Sequence, residues 1–315
     1  MAKDSFNPMN EPRYSGIPTF MRTPHVSNFD NLDIALVGVP YDGAVEARPG
    51  ARQGPRQIRD MSSMMRAIHH VSRINPYELS KVGDVGDVHF NQIFDVEASH
   101  TDITAFFQKL HHSEIVPISA GGDHSITLPI MRALAADDPV GMVHIDAHTD
   151  CCDEEMNSKY SHGTPFRRAI EERLLDPKRT IQIGIRGAAN SDECWEFGIK
   201  HGIRIVYIEE FTKLGVEKVV AEARRIVGKD PTYISFDVDG IDPAFTPGTG
   251  TPEIGGLTPI EVQGLIRGLR GLNIKGADVV EVSPPFDSSG NTALIAATMM
   301  YEILCIMAEV IHSKS

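Results

Sequence analysis

Two carboxylate-rich runs carry the chemistry of this chain. The first is His144-Ile145-Asp146-Ala147-His148-Thr149-Asp150 and the second Ser235-Phe236-Asp237-Val238-Asp239-Gly240-Ile241-Asp242-Pro243. Each follows an apolar stretch, and in extended chain residues at i, i+2 and i+4 project from one face. His124, in Gly121-Gly122-Asp123-His124, offers a further imidazole. The candidate metal ligands are therefore His124, Asp146, His148, Asp150, Asp237 and Asp239. Four carboxylates this close cannot all stay ionised without cations, because like charges raise each other's pKa. Two divalent ions would balance them, with two carboxylates bridging. Oxygen-rich ligation with one imidazole per ion favours Mn²⁺, Ni²⁺ or Fe²⁺ over tetrahedral zinc. A metal pair about 3.5 Å apart makes water a nucleophile at neutral pH, so the expected reaction class is hydrolysis. Aspartates at strand ends also serve as caps and turn formers. Three such motifs in order, each after a strand, outweigh that reading.

The elements that must position these residues follow from hydrophobic periodicity. Short apolar runs at 34–39, 115–119, 142–146, 180–185, 204–208, 232–236 and 277–282 read as buried strands. Helical patterns lie at 56–68, 96–110, 129–136, 164–175, 216–227, 259–269 and 292–312. Alternation of strand and helix predicts an α/β fold, a mostly parallel sheet with helices on both faces. Ligands in such sheets bind outside the carboxyl ends of the strands, where the acidic runs sit. With no repeat or linker visible, the reading is an N-terminal arm over 1–30 and a single domain over 31–315.

The chain has 315 residues, 41% apolar and 23% charged, with a formal net charge of −13. That charge argues against nucleic acid as a partner and suits metal ions or a cationic substrate. No apolar run is read as long enough to span a bilayer, and the first residues carry no hydrophobic signal core. A soluble, cytoplasmic protein is expected. Cys151, Cys152, Cys194 and Cys305 show no C-x-x-C spacing, and disulfides are not expected at this size and location. The His69-His70 and His111-His112 pairs read as solvated helix positions, and His144 as structural.

The three acidic motifs resemble the signatures of the ureohydrolase family, which includes arginase, agmatinase and guanidino-acid hydrolases. Further similarity lies in Arg48-Pro49-Gly50-Ala51-Arg52, in Pro247-Gly248-Thr249-Gly250-Thr251-Pro252-Glu253 and in Val280-Glu281-Val282-Ser283-Pro284-Pro285. The stretch Arg13-Tyr14-Ser15-Gly16-Ile17-Pro18-Thr19-Phe20-Met21-Arg22 is similar to the agmatinase, guanidinobutyrase and guanidinopropionase branch. The resemblance implies a three-layer α/β/α fold and a binuclear, usually manganese, centre, with nickel an alternative. It implies His124, Asp146, Asp150 and Asp237 around one metal and Asp146, His148, Asp237 and Asp239 around the other. His162, in Ser161-His162-Gly163, would shuttle protons, and Glu281 would pair with a guanidinium. A homotrimer or homohexamer is implied, with a heteromer of related subunits also open. These roles make chemical sense. Attack on a guanidinium carbon gives a tetrahedral intermediate whose departing nitrogen needs a proton, and imidazole titrates in the right range. A carboxylate can hold the planar guanidinium in bidentate fashion.

Two loops depart from the family pattern. Gly43-Ala44-Val45-Glu46-Ala47-Arg48 loses hydroxyl groups usual there, and Cys152 stands where an asparagine is common. Candidate substrate-binding residues are Glu281, Cys152, Asp153, Glu155 and Ala47. The acidic Asp153-Glu154-Glu155 would disfavour a substrate carboxylate, so an agmatine-like guanidine is favoured. Apolar walls at Ala44, Val45, Ala47, Cys152 and Met156 suggest, as an alternative, an N-alkylated guanidine or a biguanide such as metformin. A guanidino acid such as guanidinobutyrate or guanidinopropionate is a further alternative. A non-catalytic metal-binding subunit is the non-enzyme reading, and the complete ligand set opposes it.

Overall fold

The runs rich in Val, Ile and Ala become strands because short, β-branched, two-sided apolar segments suit a sheet covered on both faces. The computed structural model describes residues 12–29 and 31–314. Of the expected arm, residues 1–11 and Asp30 lie outside the described residues. Among the described residues, eight strands form one sheet: β1 (Ile34–Val39), β2 (Val82–Asp87), β3 (Val116–Gly121), β4 (Val140–Ile145), β5 (Leu175–Ile185), β6 (Arg204–Tyr207), β7 (Thr232–Asp237) and β8 (Ile274–Val280). Their order is β2-β1-β3-β8-β7-β4-β5-β6, and each pairing is parallel. The chain leaves a gap between β3 and β4 that β7 and β8 later fill. The strand order therefore reverses around the centre of the sheet, which opens a crevice at the carboxyl ends.

Nine α-helices cover the sheet: α1 (Gly54–Ser62), α2 (Pro76–Leu79), α3 (Val96–His112), α4 (Thr127–Leu134), α5 (Pro165–Glu171), α6 (Glu193–His201), α7 (Ile208–Val227), α8 (Pro259–Gly268) and α9 (Asn291–Lys314), counted among the described residues. Side chains alternate across β1: Ile34 and Leu36 join one core with residues of α7, α8 and α9. Ala35, Val37 and Val39 join a second core with residues of α3, α4 and α5. This is the expected three-layer α/β/α arrangement.

Several expectations need correction. The strand β2 reads Val-Gly-Asp-Val-Gly-Asp, without an apolar run. Asp84 within it is buried because Arg59 and the backbone amide of Phe20 satisfy its carboxylate, at 2.8 Å each. The helix expected over 56–68 stops at Ser62. His69 is buried rather than solvated, with Nε2 3.0 Å from Glu302 Oε2. Glu302 sits on α9 inside the core and also binds Arg267; a buried carboxylate needs such partners. Finally, α9 is long and apolar enough, by length and composition, to cross a bilayer. It packs instead against α1, α2 and α8 as a core helix.

Candidate metal centre and active site

Five neighbouring strand ends build the site. Gly121 ends β3 and is followed by Gly122, Asp123 and His124, while β4 ends just before Asp146. Asp237 is the last residue of β7. Glu281 follows β8. Gly122 has no room for a side chain, since a Cβ there would lie 1.6 Å from the Tyr41 carbonyl oxygen. That close approach lets the loop after β1 lie against the His124 turn.

Three carboxylate oxygens converge on His124 Nδ1: Asp150 Oδ2 at 2.8 Å, Asp146 Oδ2 at 3.1 Å and Asp237 Oδ2 at 3.2 Å. None is aligned as a hydrogen bond, so this buried nitrogen has no bonded partner. Atoms crowded around a point without bonding each other are arranged as ligands of a shared cation. A second group forms where His148 Nδ1 lies 3.1 Å from Asp239 Oδ2 and 3.5 Å from Asp146 Oδ1. Asp146 belongs to both groups, as a bridging ligand would. The donor set therefore fits two divalent ions held by oxygen and one imidazole each.

Hydrogen bonds behind the ligands set their orientation. Ser235 Oγ donates to Asp278 Oδ1 at 2.7 Å, so it accepts from His124 Nε2–H at 2.8 Å. With Nε2 committed as the donor to Ser235, Nδ1 is the nitrogen left to ligate a cation among the carboxylates. Asp278 also accepts from Thr127 and Tyr233 hydroxyls. His144 Nε2 lies 2.7 Å from Asp146 Oδ2, and the His148 amide donates to Asp146 Oδ1 at 2.6 Å. His144 thus steers the carboxylate that the two groups share.

The electrostatics point the same way. Burial, then Asp239 and Asp146, push the Asp237 carboxyl well above its usual range. Burial and Asp146 push Asp239 up to about 6. Burial alone would lower His124 and His148, but their aspartates hold both well above the usual imidazole range. The polypeptide alone must borrow protons to offset its carboxylates, which is what divalent cations would do instead.

Beside this centre, His162 Nδ1 lies 3.1 Å from Glu281 Oε1 and Nε2 lies 2.5 Å from Glu46 Oε2. Glu281 Oε1 also accepts the His124 amide at 2.9 Å. Glu281 Oε2 is buried with no partner and belongs to the pocket lining. A buried carboxylate oxygen left open in this way suits a cationic ligand. The cavity above has a volume of about 450 Å³.

A model of the arginase family matches residues 32–306. The chain belongs to the arginase family. It is 56% identical over 313 residues to guanidinopropionase of Pseudomonas aeruginosa, spanning 98% of each chain. It is 47% identical over 305 residues to guanidinobutyrase of the same organism, spanning 96% of this chain and 95% of that one. The solved structure of proclavaminate amidino hydrolase from Streptomyces clavuligerus superposes with a TM-score of 0.92 at 39% identity, covering 95% of this chain and 100% of that one. The chain is accordingly a metal-dependent hydrolase of guanidino C–N bonds.

Within this arginase-family site, the expected metal ligands come together, as do His162 and Glu281. The substrate loop differs from expectation. Cys152, Glu155 and Met156 line the pocket, and Glu155 Oε2 accepts the Ser161 hydroxyl at 2.6 Å. Asp153 does not line it; its carboxylate pairs with Arg168 at 2.8 Å and Arg167 at 3.3 Å. Ala47 and Val45 are also outside the lining, and Ala44 packs into the apolar core. Cysteine pairing is a further correction: Cys152 and Cys194 form a disulfide, leaving Cys151 and Cys305 as free, buried thiols. The partner was hidden because Cys194 lies on α6, a helix the sequence pattern did not show. Sequence reasoning also missed Glu46, Glu253 (3.8 Å from His148 Nε2), Ser235 and Asp278 as parts of the site. Ser235 precedes Asp237 by two residues on one strand face, which was an available signal; Glu46 carried none.

Proposed function

We propose that this hydrolase acts on a guanidino compound whose tail is cationic or neutral, with agmatine the best model substrate. One observation carries this reading. Beyond the metal ligands and the groups on His162, the cavity wall contains Glu154, Glu155, Glu193 and Glu253, and no lysine or arginine lines it among the described residues. A carboxylate-tailed substrate would meet repulsion there, whereas an amine would find acceptors. Guanidinopropionase and guanidinobutyrase are named for such carboxylates, so this pocket would divide the chain from those relatives.

His124, Asp146, Asp150 and Asp237 would hold one ion and Asp146, His148, Asp237 and Asp239 the other. Manganese is the first choice and nickel the second. When bound, the pair supplies charge balance and a hydroxide nucleophile at neutral pH. The protein's own contribution begins with Glu281, whose open Oε2 accepts guanidinium N–H bonds and fixes the carbon. His162 then donates a proton to the departing nitrogen as its bond to carbon breaks, giving urea and an amine. His162 suits that role because Glu281 and Glu46 keep it charged against the effect of burial.

A second reading has its own support. Met156, Ala188, Ala189 and Trp195 add apolar surface to the same pocket. They would accommodate an N-alkylated guanidine or a biguanide such as metformin. The test is purified protein loaded with Mn²⁺ or Ni²⁺ and offered agmatine, arginine, guanidinobutyrate, guanidinopropionate, methylated guanidines and metformin, with urea and amine release measured. Preference for the carboxylate-tailed compounds refutes the acidic-wall argument. No turnover on the whole panel favours the non-catalytic subunit. A cytoplasmic location and a trimer or hexamer complete the proposal, and light scattering after size exclusion tests the oligomer.

A further inference from the structure

Glu46 lies on the loop after β1, outside the metal-ligand motifs, yet its carboxylate meets His162 Nε2 while Glu281 meets Nδ1. A ring nitrogen facing a carboxylate at hydrogen-bond distance must carry a proton, because two lone pairs would repel. Both nitrogens meet that condition, so the ring donates from both sides. We propose that Glu46 is the positioning residue of the proton donor: it tethers His162 by Nε2, so that the Nδ1 proton faces Glu281 and the departing nitrogen of the substrate. This rests on the reading of His162 given above.

The backbone makes the tether specific. The Ala44 amide donates to Asp123 Oδ2 at 3.0 Å, and the Ala44 carbonyl accepts the His162 amide at 3.1 Å. Those two links tie the loop after β1 to the turn after β3 and to the Ser161-His162-Gly163 turn, and bring Glu46 to the ring. The side chains also form a file toward solvent, with Glu281 2%, His162 9% and Glu46 37% exposed. Glu46 thus joins the proton donor to water without opening the carbon-binding end. The groups facing His162 are Glu46 from the β1 loop, Glu281 from the end of β8, Asp123 from the turn after β3 and Glu155 from its own loop. All are acids. The hydrogen bond also holds Glu46 itself at about 2, so it remains an anion across the working range.

The proton balance is closed. On cleavage the C–N bond breaks, the Nδ1–H bond breaks and an N–H bond forms on the departing amine. The ring keeps its Nε2–H against Glu46. Its Nδ1 proton is replaced by the one released when water became the nucleophile. The hydroxyl proton of the tetrahedral adduct passes to the released amine as the urea C=O bond forms, so guanidinium and water become urea and an ammonium product, and the protein ends unchanged.

Glu46→Gln and Glu46→Ala variants test the assignment. Glutamine retains an acceptor for Nε2–H but not the charge, and alanine removes both. The measurements are kcat, KM, the pH dependence of kcat and bound metal per subunit. Alanine is expected to lower kcat roughly ten- to hundredfold, a fraction of what general acid catalysis provides, with KM nearly unchanged. Glutamine is expected to retain more activity at low pH, with its alkaline limb starting at lower pH, because the imidazolium loses its proton more readily without the anion. A raised KM at intact kcat would make Glu46 a tail-binding residue and overturn the proposal. Unchanged kcat and pH profile, or lost metal, would also overturn it. A wild type inactive on every guanidine defeats the functional reading, whereas an active wild type with indifferent variants defeats only the role of Glu46.

Discussion

Replacing Ser235 with alanine removes the link between His124 and Asp278 without touching a metal ligand. The 2.8 Å bond from His124 Nε2–H loses its acceptor, and Asp278 keeps only the Thr127 and Tyr233 hydroxyls. A lost partner behind a ligating histidine typically weakens metal binding about 10- to 100-fold, roughly 1.4 to 2.8 kcal/mol. The fold loses a buried hydrogen bond to a carboxylate, about 1.5 to 3 kcal/mol. Tyr233→Phe separates the two effects, because it removes a different hydroxyl from Asp278 and leaves Ser235 on His124. Chelator-competition titration with Mn²⁺ measures affinity, and urea unfolding of the metal-free proteins measures stability. Ser235→Ala should lose both, with the weakened site being the one that His124 serves. Tyr233→Phe should lose stability with a much smaller change in affinity. Wild-type affinity in Ser235→Ala, or equal losses of affinity in both variants, would refute the reasoning.

Gly187→Ala should disable the other half of the centre, since its Cβ would lie 2.3 Å from His148 Cδ2. Elemental analysis is expected to find one tightly bound metal per subunit in place of two, and two at normal affinity would count against it. The Cys152–Cys194 bridge spans a sequence separation of 42, which a chain-entropy model converts to about 4 kcal/mol. Replacing both cysteines with serine should lower the unfolding free energy by about 2 to 4 kcal/mol; rapid alkylation of both sulfurs in the native oxidised protein would contradict the bridge. His100 is buried without hydrogen-bond partners, and burial lowers it from 6.5 to about 3. The unfolded chain therefore binds a proton that the folded one refuses as pH falls from 6.5 toward 3, costing up to about 1.4 kcal/mol per pH unit. His100→Leu should flatten that part of the acid-stability curve, and identical acid limbs would reject the assignment.

The candidate metal ligands are legible because the chemistry they would serve imposes a pattern: acids and imidazoles at alternate positions after apolar strands. What stayed hidden depends on tertiary contacts without local signature. Glu46 is one charged residue in a loop, and only the Ala44 hydrogen bonds to Asp123 and His162 bring it to the ring. Asp84 sits inside β2, where an acid normally argues against a strand, and Arg59 supplies the missing context. By sequence Asp153 belongs to the acidic wall, but Arg167 and Arg168 on α5 claim it. His69 was read as solvated for the same reason: its partner Glu302 is more than two hundred positions away on another element. Residue type therefore predicted the chemistry well, and predicted direction poorly wherever a distant charge could redirect a side chain.

Two residues of the site sit in strained backbone. Asp150 and Glu281 both hold positive φ, at 51° and 64°, a region that costs a non-glycine residue on the order of 1 kcal/mol or more. Neighbouring bonds over-determine each one. The Asp150 carbonyl accepts the Phe166 amide at 3.1 Å at the start of α5. The Glu281 amide donates to the Gly122 carbonyl at 2.9 Å, while its Oε1 receives the His124 amide. Without that turn after β8, the chain would continue extended from Val280 and the Glu281 side chain would leave the pocket. The turn instead places one oxygen on the His124 backbone and His162, and leaves the other open to the cavity. A single strained residue thus ties the His124 turn, the His162 ring and a carboxylate oxygen open to the cavity into one unit. Under the proposed function, the substrate carbon would be oriented by the same group that orients the donor. Glycine would relieve the strain at this position, but it would remove the carboxylate that both contacts and the open oxygen require.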